Sequence, residues 1–490
     1  MTAQACRERL ILGVLLVSVF AWRAQRSDQP ILEGYVGRQV PTAMVARNLD
    51  RGSGFLSPQL DTGPFPNLFL VEPPIDAQIV AWLSRASGLA IDRTGRIVSA
   101  ASIALACWGL HGLLRHREGG KAALIAVVAL GVFPTTLKYG RAFQPDALAL
   151  GLSVAGLRCW DVRGAVLWRW AGWTLCSLAF AQKVTWSFML VPLCVAILRD
   201  GPTRRNWLAV STIVPALAWY AFVAFQLAGN GGGTGPSRDN AANWLARVSP
   251  SSFLDLKRYS TVGLDLIVRS FTPLGPLMVV VGWQQWRSVD RLWRVWTIAA
   301  SVALLALFGK LHHDYYGLMI APLLAAWIGI AIGRMSRLSG LTMLAGLVIL
   351  GFVQSRTAWR TPDAWRDAPA LANAIGRTIP PDGRVIASEA ILYLGDRRGC
   401  RLEENAGAVL RAANEWRPSP PFADVDPASL VQFYRDQAGA RYFADLDSPS
   451  RRQLHDDVRR LPGAHVLEDV PGRYVIVGFD ETTASKAPRP

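Results

Sequence analysis

Long apolar stretches separated by polar segments occupy the chain as far as about residue 355 and are absent after it. A helix needs about 20 mostly apolar residues to cross the hydrocarbon core of a bilayer. The pattern therefore predicts a polytopic α-helical membrane domain over residues 1–355, with about 11 transmembrane helices. The predicted spans are Leu10–Arg23, Ile97–Leu114, Ala122–Leu137, Asp146–Cys159, Val166–Ala181, Thr185–Leu198, Trp207–Leu227, Leu266–Trp283, Leu292–Phe308, Gly317–Ile332 and Gly340–Val353.

Residues 356–490 show a different pattern, in which amphipathic helical segments alternate with short apolar strands. Such alternation is typical of a small α/β unit, so a soluble α/β domain is predicted here. The predicted helices are Trp365–Thr378, Pro427–Gln437 and Pro449–Arg460, and the predicted strands are Arg384–Ser388, Arg441–Ala444 and Arg473–Phe479. The tail after Asp480 is expected to be disordered.

The loop Ala24–Arg96, about seventy residues long, separates the first two predicted spans. Loops of this length are uncommon and usually functional. Two segments within it, Thr42–Leu49 and Ile75–Ser87, have amphipathic helical periodicity. They are predicted to be interfacial helices that lie in the plane of the membrane surface. In a later loop, the Gly-rich run 229–235 is expected to be a flexible connector.

The distribution of charge predicts which side of the membrane each loop faces. The net charge of +16 lies entirely in the first 354 residues, where 33 Lys and Arg oppose 17 Asp and Glu. Cytoplasmic loops of membrane proteins are enriched in Lys and Arg. With a cytoplasmic N-terminus, the cytoplasmic loops contain Arg115/Arg117/Lys121, Arg158/Arg163/Arg169, Arg199/Arg204/Arg205, Arg287/Arg291/Arg294 and Arg334/Arg337. The C-terminal domain is then predicted to be extracytoplasmic.

Composition narrows the class of protein further. Charged residues make up 18% of the chain, below the roughly 25% typical of soluble domains. The arginines lie in short clusters between apolar runs, as in the cytoplasmic loops of membrane proteins. Membrane lipids are therefore expected partners and nucleic acid is not. The six cysteines show no paired spacing, which argues against a disulfide framework. The first apolar run lacks a small-residue cleavage site and is predicted to stay as a helix of the cytoplasmic membrane.

Carboxylates at the outer ends of the predicted spans are the first candidates for chemistry. Glu33, Asp61 and Glu72 lie in the first outer loop, and Asp146 follows Arg141 at the start of the fourth predicted span. A charge at the edge of a bilayer is costly unless it is paired or hydrated, so it is a candidate functional residue. The alternative for a loop carboxylate is a solvated residue, and the alternative for Asp146 is a helix cap.

A third polar segment, Lys310–Tyr316, lies between two late spans and contains His312, His313 and Tyr315. Its lysine, imidazole and phenol groups are donors for a phosphate. The two histidines are also candidate metal ligands. The alternative is an interfacial aromatic belt with an incidental His pair.

Taken together, these residues resemble the GT-C membrane glycosyltransferases, and within them the protein O-mannosyltransferase-like and aminoarabinose-transferase-like bacterial members. The resemblance covers roughly residues 5–355 and rests on Glu33, Arg38-Gln39, Thr42-Ala43, Ala46-Arg47-Asn48, Glu72-Pro73-Pro74, Arg141, Pro145-Asp146 and the His and Tyr residues of the late outer turn. It implies a polyprenyl-phosphate-linked sugar donor, inverting transfer and a catalytic carboxylate in the first outer loop. Family members commonly have Asp at the position of Glu33. In some relatives the Glu of a Glu-Lys-Pro-Pro pattern helps bind a divalent metal, whereas here Glu72 is followed directly by Pro73.

The function expected from this resemblance is sugar transfer from a polyprenyl-phosphate donor to a lipid, glycan or protein acceptor at the outer face of the cytoplasmic membrane. The expected mechanism is a single displacement in which a carboxylate removes the acceptor proton. The expected catalytic residues are Glu33 as base, Asp61 as its alternative, and Asp146 as a group that orients a basic partner or contacts the sugar. The expected ligands of the donor phosphate are Arg38, Arg141, Lys310, His312, His313 and Tyr315. A divalent metal, if the reaction uses one, is expected at Glu72 and His313.

Two other classes of protein stay open at this point. A polytopic transporter or lipid flippase would show a similar hydropathy profile. Such proteins more often have internal repeats and helices broken at the membrane midplane, and neither is evident in the sequence. A noncatalytic scaffold that presents the C-terminal domain would not depend on the carboxylates of the first outer loop.

Overall fold

The computed structural model describes residues 3–162, 166–198, 206–229, 237, 241–242, 244, 253–403, 406–416, 422 and 424–480. Arg163, Arg199, Arg204, Arg205, residues 230–235 of the Gly-rich connector and the tail after Asp480 lie outside the described residues. The chain divides into two compact units. The first comprises Met1–Gln29, Ala86–Phe222 and Asn243–Arg360, and the second comprises Pro30–Arg85, Val223–Ala242 and Thr361–Pro490.

Helices dominate the described residues. The α-helices are α1 (Ala3–Ala24), α2 (Val36–Asp50), α3 (Ile75–Ser87), α4 (Ile91–Arg117), α5 (Gly120–Val132), α6 (Pro134–Tyr139), α7 (Pro145–Asp161), α8 (Val166–Gln182), α9 (Leu190–Leu198), α10 (Asn206–Ser211), α11 (Val214–Gly229), α12 (Leu256–Thr261), α13 (Leu274–Trp283), α14 (Arg291–Ala306), α15 (Gly317–Gly333), α16 (Arg337–Ser355), α17 (Ala368–Thr378), α18 (Glu389–Leu394), α19 (Ala406–Trp416), α20 (Pro427–Ala438) and α21 (Arg452–Arg459). The strands are β1 (Val385–Ala387), β2 (Gly399–Arg401), β3 (Tyr442–Leu446), β4 (Ala464–Val470) and β5 (Tyr474–Phe479). Short 3-10 helices cover Val184–Met189, Phe308–Lys310, Asp314–Tyr316 and Asp363–Trp365, and a π-helix covers Val262–Arg269.

Helical segments lie on all of the predicted spans. Within the described residues, four stretches are long and apolar enough to cross a membrane on their own, and a fifth would follow if a bent pair of helices were one span. The four stretches are Ile91–Arg117, Trp207–Gly229, Asp314–Gly333 and Arg337–Ser355. The number of spans therefore stays a prediction.

Proline lies at a break in two of the predicted spans. The predicted span Ala122–Leu137 consists of α5 and the short α6, which meet at Pro134. The predicted span Leu266–Trp283 is bent by 89° between the π-helix and α13, where Pro273 follows Thr272 with a φ of 63°. Proline has no backbone N–H for the helical ladder and disfavours helical geometry in the residue before it. Apolar periodicity alone did not reveal these breaks.

Glycine allows the helices of the first unit to approach closely. A Cβ atom added to Gly151 of α7 would lie 2.5 Å from the carbonyl oxygen of Ser102 in α4. One added to Gly329 of α15 would lie 2.4 Å from the carbonyl oxygen of Ala122 in α5. Small residues at such crossings are typical of helix packing in membranes.

The second unit contains a five-stranded mixed sheet in the order β2-β1-β3-β5-β4. β1 is parallel to β2 and β3, whereas β5 is antiparallel to β3 and β4. Its hydrophobic core includes Ile386, Leu430, Tyr434, Phe443 and Val477. Every residue of β5 is buried, which agrees with the apolar run that predicted a strand there.

The sequence did not predict β2, β4, α18 or α19. β2 is only three residues long and includes Gly399, which is a weak strand former. Most residues of β4 are exposed or half-buried, because it is an edge strand, so it lacks a buried apolar face. β2 and β4 owe their strand conformation to pairing with β1 and β5, respectively, rather than to an apolar pattern of their own.

Part of the loop Ala24–Arg96 pairs with the β2 edge of this sheet. The amide of Gly399 donates to the carbonyl of Asp61 at 2.9 Å, and the amide of Gly63 donates to the carbonyl of Gly399 at 3.1 Å. Thr62 and Gly399 form a parallel bridge. The second unit therefore joins Pro30–Arg85 to the C-terminal segment, a grouping that the sequence did not predict.

The two helices of the loop Ala24–Arg96, α2 and α3, differ in their exposure. Residues 39–46 of α2 are all buried, so this helix has no exposed face over that stretch, in contrast to the amphipathic helix that was predicted. α3 has the predicted bounds and exposes Trp82 and Leu83. The prediction of a helix that lies in the plane of the membrane surface therefore agrees better with α3 than with α2.

Candidate functional site

The buried ion pair between Asp146 and Lys183 is the central feature of the first unit. Asp146 lies in the first turn of α7, where the helix dipole favours a carboxylate. Lys183 directly follows the last residue of α8, and its Nζ donates to Oδ1 of Asp146. Both residues are at most 5% exposed. Removing two charges from water is costly, so such a pair needs close contact and further polar partners.

Helix geometry brings these two side chains together. α7 and α8 form a hairpin, so the start of one helix and the end of the other lie at the same end of the unit. A Cβ atom on Gly156 of α7 would lie 2.6 Å from Sγ of Cys176 in α8, so glycine is required for this approach. Lys183 was not among the candidates selected from the sequence. The available signal was a single lysine between two apolar runs.

Tyrosine rings surround the ammonium group of Lys183. Its Nζ lies 4.7 Å from the ring centroid of Tyr315 and 5.7 Å from that of Tyr316. A cation within about 6 Å of an aromatic ring is attracted by the ring's electrons. His313 stacks on Tyr315 with 5.3 Å between ring centroids and an interplanar angle of 11°. We call Asp146, Lys183, His313, Tyr315 and Tyr316 the Asp146 cluster.

A second ion pair borders the Asp146 cluster. Lys138 Nζ lies 2.8 Å from Oδ2 of Asp314, and the phenol of Tyr139 donates to Oδ1 of the same carboxylate. The ring of Tyr139 meets that of Tyr315 edge-on at 6.0 Å. Lys138 and Asp314 are partly exposed, so their attraction is weak compared with that of a buried pair.

Arg141 is fully buried, and carbonyl oxygens surround its guanidinium group. It donates to the carbonyls of Ala358 at 2.7 Å, Gln25 at 3.2 Å and Arg26 at 3.4 Å. Burial, together with the nearby charge of Arg26, lowers the pKa of Arg141 to about 10. These hydrogen bonds connect the segment before α7 with the segments that follow α1 and α16, so they stabilise the fold.

Lys310 and His312 were also predicted to bind the donor phosphate. Lys310 is buried, and its Nζ lies 5.7 Å from the ring centroid of Trp244. The ring of His312 lies 3.8 Å from that of His313, which stacks on Tyr315. His312 is therefore linked to the Asp146 cluster through neighbouring rings.

Glu33 and its surroundings belong to the second unit. Glu33 is 4% exposed and lies just before α2. The side-chain amide of Gln39 donates to the backbone carbonyl of Glu33, and Gly34 adopts a φ of 69° between them. A positive φ of this kind is accessible to glycine at little cost. The turn and the hydrogen bond together fix the backbone of Glu33 against the first turns of α2.

Arg38 and Glu72 form an ion pair in the same unit. Nη2 of Arg38 contacts both carboxylate oxygens of Glu72, and the two side chains are 15% and 14% exposed. The pair connects α2 with the segment before α3. Glu72 therefore orients the guanidinium group of Arg38.

Asp61 is enclosed by cationic and amide donors. Its side chain is 1% exposed and lies 2.6 Å from Nη2 of Arg47, and Asn48 donates to it at 3.1 Å. Arg398 approaches the same carboxylate at 3.9 Å. Arg47 also contacts Asp396 at 3.1 Å. Burial by itself would raise the pKa of Asp396, but the neighbouring arginines outweigh this effect and hold that pKa below its usual range.

We expect replacement of Asp61 by Asn to destabilise the protein rather than to impair catalysis selectively. The change removes a charge-assisted contact to Arg47, worth about 1.5–3 kcal/mol. Thermal unfolding of the purified protein should show a lower midpoint. Asp50→Asn is the matched control, because Asp50 forms an exposed pair with Arg85 and should matter little. Unchanged stability of Asp61→Asn with lost turnover would instead assign Asp61 a catalytic role.

The predicted metal ligands do not form a complete site. Among the residues that the structure describes, no three His, Cys, Asp or Glu side chains are grouped as a metal ion requires. Both oxygens of Glu72 contact Arg38, and the ring of His313 stacks on Tyr315. The donor set therefore does not fit a bound metal, and no chemical step is assigned to one.

Comparisons with known proteins identify the fold. No protein-family model and no curated sequence matches the chain. The structure of ArnT from Cupriavidus metallidurans in the apo state superimposes with a TM-score of 0.66 at 14% identity, covering 97% of this chain and 98% of that chain. The same protein bound to undecaprenyl phosphate gives a TM-score of 0.63 at 14% identity, with the same coverage.

A more distant match is the oligosaccharyltransferase of Archaeoglobus fulgidus. Its apo form gives a TM-score of 0.56 at 11% identity and covers 90% of this chain and 69% of that chain. A structure of that protein contains Zn and sulfate. The chain therefore shares its fold with ArnT and with this oligosaccharyltransferase, which agrees with the fold that the sequence resemblance predicted. The described residues are mostly helical, and four of their helical stretches are long and apolar enough to cross a membrane.

Proposed function

We propose that the chain is a glycosyltransferase that moves a sugar from a polyprenyl-phosphate donor to a lipid, glycan or protein acceptor. The main observation in support is the buried Asp146–Lys183 pair beneath Tyr315, at one end of a bundle of apolar helices. Asp146 is the anionic partner of this buried ammonium group in the free protein, and the phosphate of a bound donor would be a second one. The proposal also draws on ArnT, which has the same fold and has been observed with undecaprenyl phosphate.

The cation of Lys183 suits a departing phosphate. An ammonium group has three N–H donors, and Asp146 accepts one of them. As the bond between the anomeric carbon and the phosphate oxygen breaks, negative charge grows on the phosphate, and a fixed cation stabilises that charge. Asp146 orients Lys183, and the neighbouring Tyr315 and His313 supply further donors.

Arg141 is proposed to stabilise the fold rather than to bind the phosphate. Its contacts to the carbonyls of Gln25 and Ala358 brace the segment that leads into α7. Lys310 and His312 stay proposed phosphate ligands beside the Asp146 cluster. In the second unit, Arg38 is proposed to contact phosphate in the orientation that Glu72 imposes.

Glu33 is proposed to be the general base. Its carboxylate takes the proton of the acceptor hydroxyl while that oxygen attacks the anomeric carbon. The electron pair of the broken bond leaves with the polyprenyl phosphate, so a single displacement inverts the anomeric configuration. Asp61 is proposed to be structural because Arg47 and Asn48 enclose it.

The proposed location is the cytoplasmic membrane, with about 11 spans, a cytoplasmic N-terminus and an extracytoplasmic C-terminal α/β domain. The arginine clusters support this orientation. In this arrangement the Asp146 cluster faces outward, because the arginine-rich ends of α4, α7 and α15 lie at the opposite end of the first unit.

Incubation with a panel of radiolabelled polyprenyl-phosphate sugars tests the proposal, with membrane extract as the source of acceptor. We expect one or more of these donors to be consumed and the label to appear in an acceptor. Nucleotide sugars and polyprenyl-diphosphate sugars are the matched controls and should not be consumed directly by the purified protein. Direct use of a nucleotide sugar, or no use of any lipid donor, would contradict the proposal.

A further inference from the structure

Three acidic side chains at the end of the first unit opposite the Asp146 cluster form internal ion pairs. Asp161, the last residue of α7, binds Arg117 with distances of 2.5 and 2.7 Å. Asp290 contacts the same arginine at 3.2 Å. Glu118 accepts from the backbone amide of Asp290 at 3.0 Å and contacts Arg334 at 3.4 Å. These carboxylates are therefore not available to neutralise other cations.

Exposed basic residues remain at the same end. Arg287, Arg291 and Arg337 are exposed, and among the described residues none of them has a carboxylate partner. Lys121 is also exposed, and its ammonium contacts only the neutral carbonyl of Gly333, at 3.1 Å. We call these four residues the basic end.

Contacts of Arg334 hold the basic end together. Its guanidinium group donates to Oε1 of Gln285 at 2.6 Å and to Oγ of Ser288 at 2.8 Å. These bonds place the loop that contains Arg287 beside the turn that leads to Arg337. The positive charges therefore lie on one surface formed by the ends of α13 and α15 and the starts of α5, α14 and α16.

Tryptophan rings border this surface. Trp283 and Trp286 stack with 4.3 Å between ring centroids, and Trp286 stacks on Trp327 at 5.9 Å. Trp283 is 48% exposed. Tryptophan is enriched at the level of the lipid headgroups, where its ring meets the apolar phase and its N–H meets water. The adjacent guanidinium groups are then at the depth of the phospholipid phosphates.

We propose that the basic end binds an anionic phospholipid of the adjoining leaflet through its phosphate. Basic sites between transmembrane helices are suited to anionic headgroups. One guanidinium group can donate two parallel hydrogen bonds to two oxygens of the same phosphate. The stacked tryptophans pack against the part of the acyl chain nearest the headgroup. The polyprenyl-phosphate donor is a different ligand, because its proposed site contains Lys183 at the other end of the unit.

The test compares retention of phosphatidylglycerol and phosphatidylcholine by the purified full chain, measured by native mass spectrometry. The key variant is Arg287→Gln/Arg291→Gln/Arg337→Gln. The control is Arg366→Gln/Arg377→Gln/Arg460→Gln, which removes the same charge from side chains of the second unit that are 71%, 63% and 74% exposed. We expect the wild type and the control to retain phosphatidylglycerol roughly 10- to 100-fold better than the key variant.

Three outcomes would overturn the proposal. The key variant and the control retain phosphatidylglycerol equally, the wild type does not distinguish the two lipids, or retention is lost in Lys183→Met instead. The last result would place the lipid in the donor site. Donor consumption is measured in parallel, and we expect it to persist in the key variant, so this proposal and the proposed function can fail independently.

Discussion

We expect Glu33→Gln to lower the turnover number by about 10²–10⁴-fold while donor binding is largely retained. Glutamine keeps the size of the side chain and the backbone contact with Gln39 but cannot accept the proton of the acceptor hydroxyl. Single-turnover transfer with a labelled polyprenyl-phosphate sugar measures the chemical step, and a filter-binding assay with the same donor measures affinity. A selective loss of the chemical step would identify Glu33 as the base.

Two further substitutions sharpen this prediction. Glu33→Asp restores a carboxylate of the type that the related enzymes commonly have, and we expect it to keep partial activity. Asp28→Asn removes an exposed carboxylate close by in the chain and should leave turnover unchanged. Normal turnover in Glu33→Gln would show that another group accepts the proton.

We expect Lys183→Met to reduce both turnover and stability. Loss of the cation that stabilises the departing phosphate should lower turnover by about 10²–10³-fold. The substitution also leaves the buried carboxylate of Asp146 without its counter-ion, which costs about 3–5 kcal/mol. Thermal unfolding and transfer assays on the same preparation measure the two effects. Lys138→Met is the control, because its pair with Asp314 is partly exposed and should contribute little stability.

A double variant separates the two roles of Lys183. Lys183→Met/Asp146→Asn removes both charges, so most of the lost stability should return while turnover stays low. Recovery of turnover together with stability would mean that the pair is purely structural and that the donor phosphate binds elsewhere.

The sequence identified individual polar residues as candidates for the site more readily than it predicted which residues they would contact. Asp146, His313 and Tyr315 were recognised as candidates because they interrupt apolar runs. Lys183 has the same kind of position, but its pairing with Asp146 depends on the close crossing of α7 and α8 at Gly156. Hydropathy reports how much of a segment is apolar and does not report which helices are neighbours.

Asp61 illustrates the same limit in the second unit. From the sequence it was one of several loop carboxylates and an alternative base. In the structure, Arg47 and Asn48 enclose it, and its backbone pairs with Gly399 from the far end of the chain. Contacts between residues so distant in sequence have no local pattern. A catalytic and a structural carboxylate therefore look alike until the fold is known.

Helix and strand positions were predictable where burial leaves a strong apolar pattern. β5, which is fully buried, and α3, which has one exposed face, closely match their predicted ranges. The edge strand β4 and the break at Pro273 were not predicted. The first has no buried face, and the second interrupts an apolar run without changing its hydropathy.

The central claim is that the donor is cleaved at the membrane rather than carried across it. Proteoliposomes containing the purified chain, acceptor and a labelled polyprenyl-phosphate sugar allow both processes to be followed in one experiment. Mass spectrometry should show free polyprenyl phosphate appearing in equal amount with the glycosylated acceptor, and Glu33→Gln should lower the rate of appearance of both by about 10²–10⁴-fold. Movement of the intact donor to the opposite leaflet, with no release of polyprenyl phosphate, would contradict the account and identify a flippase.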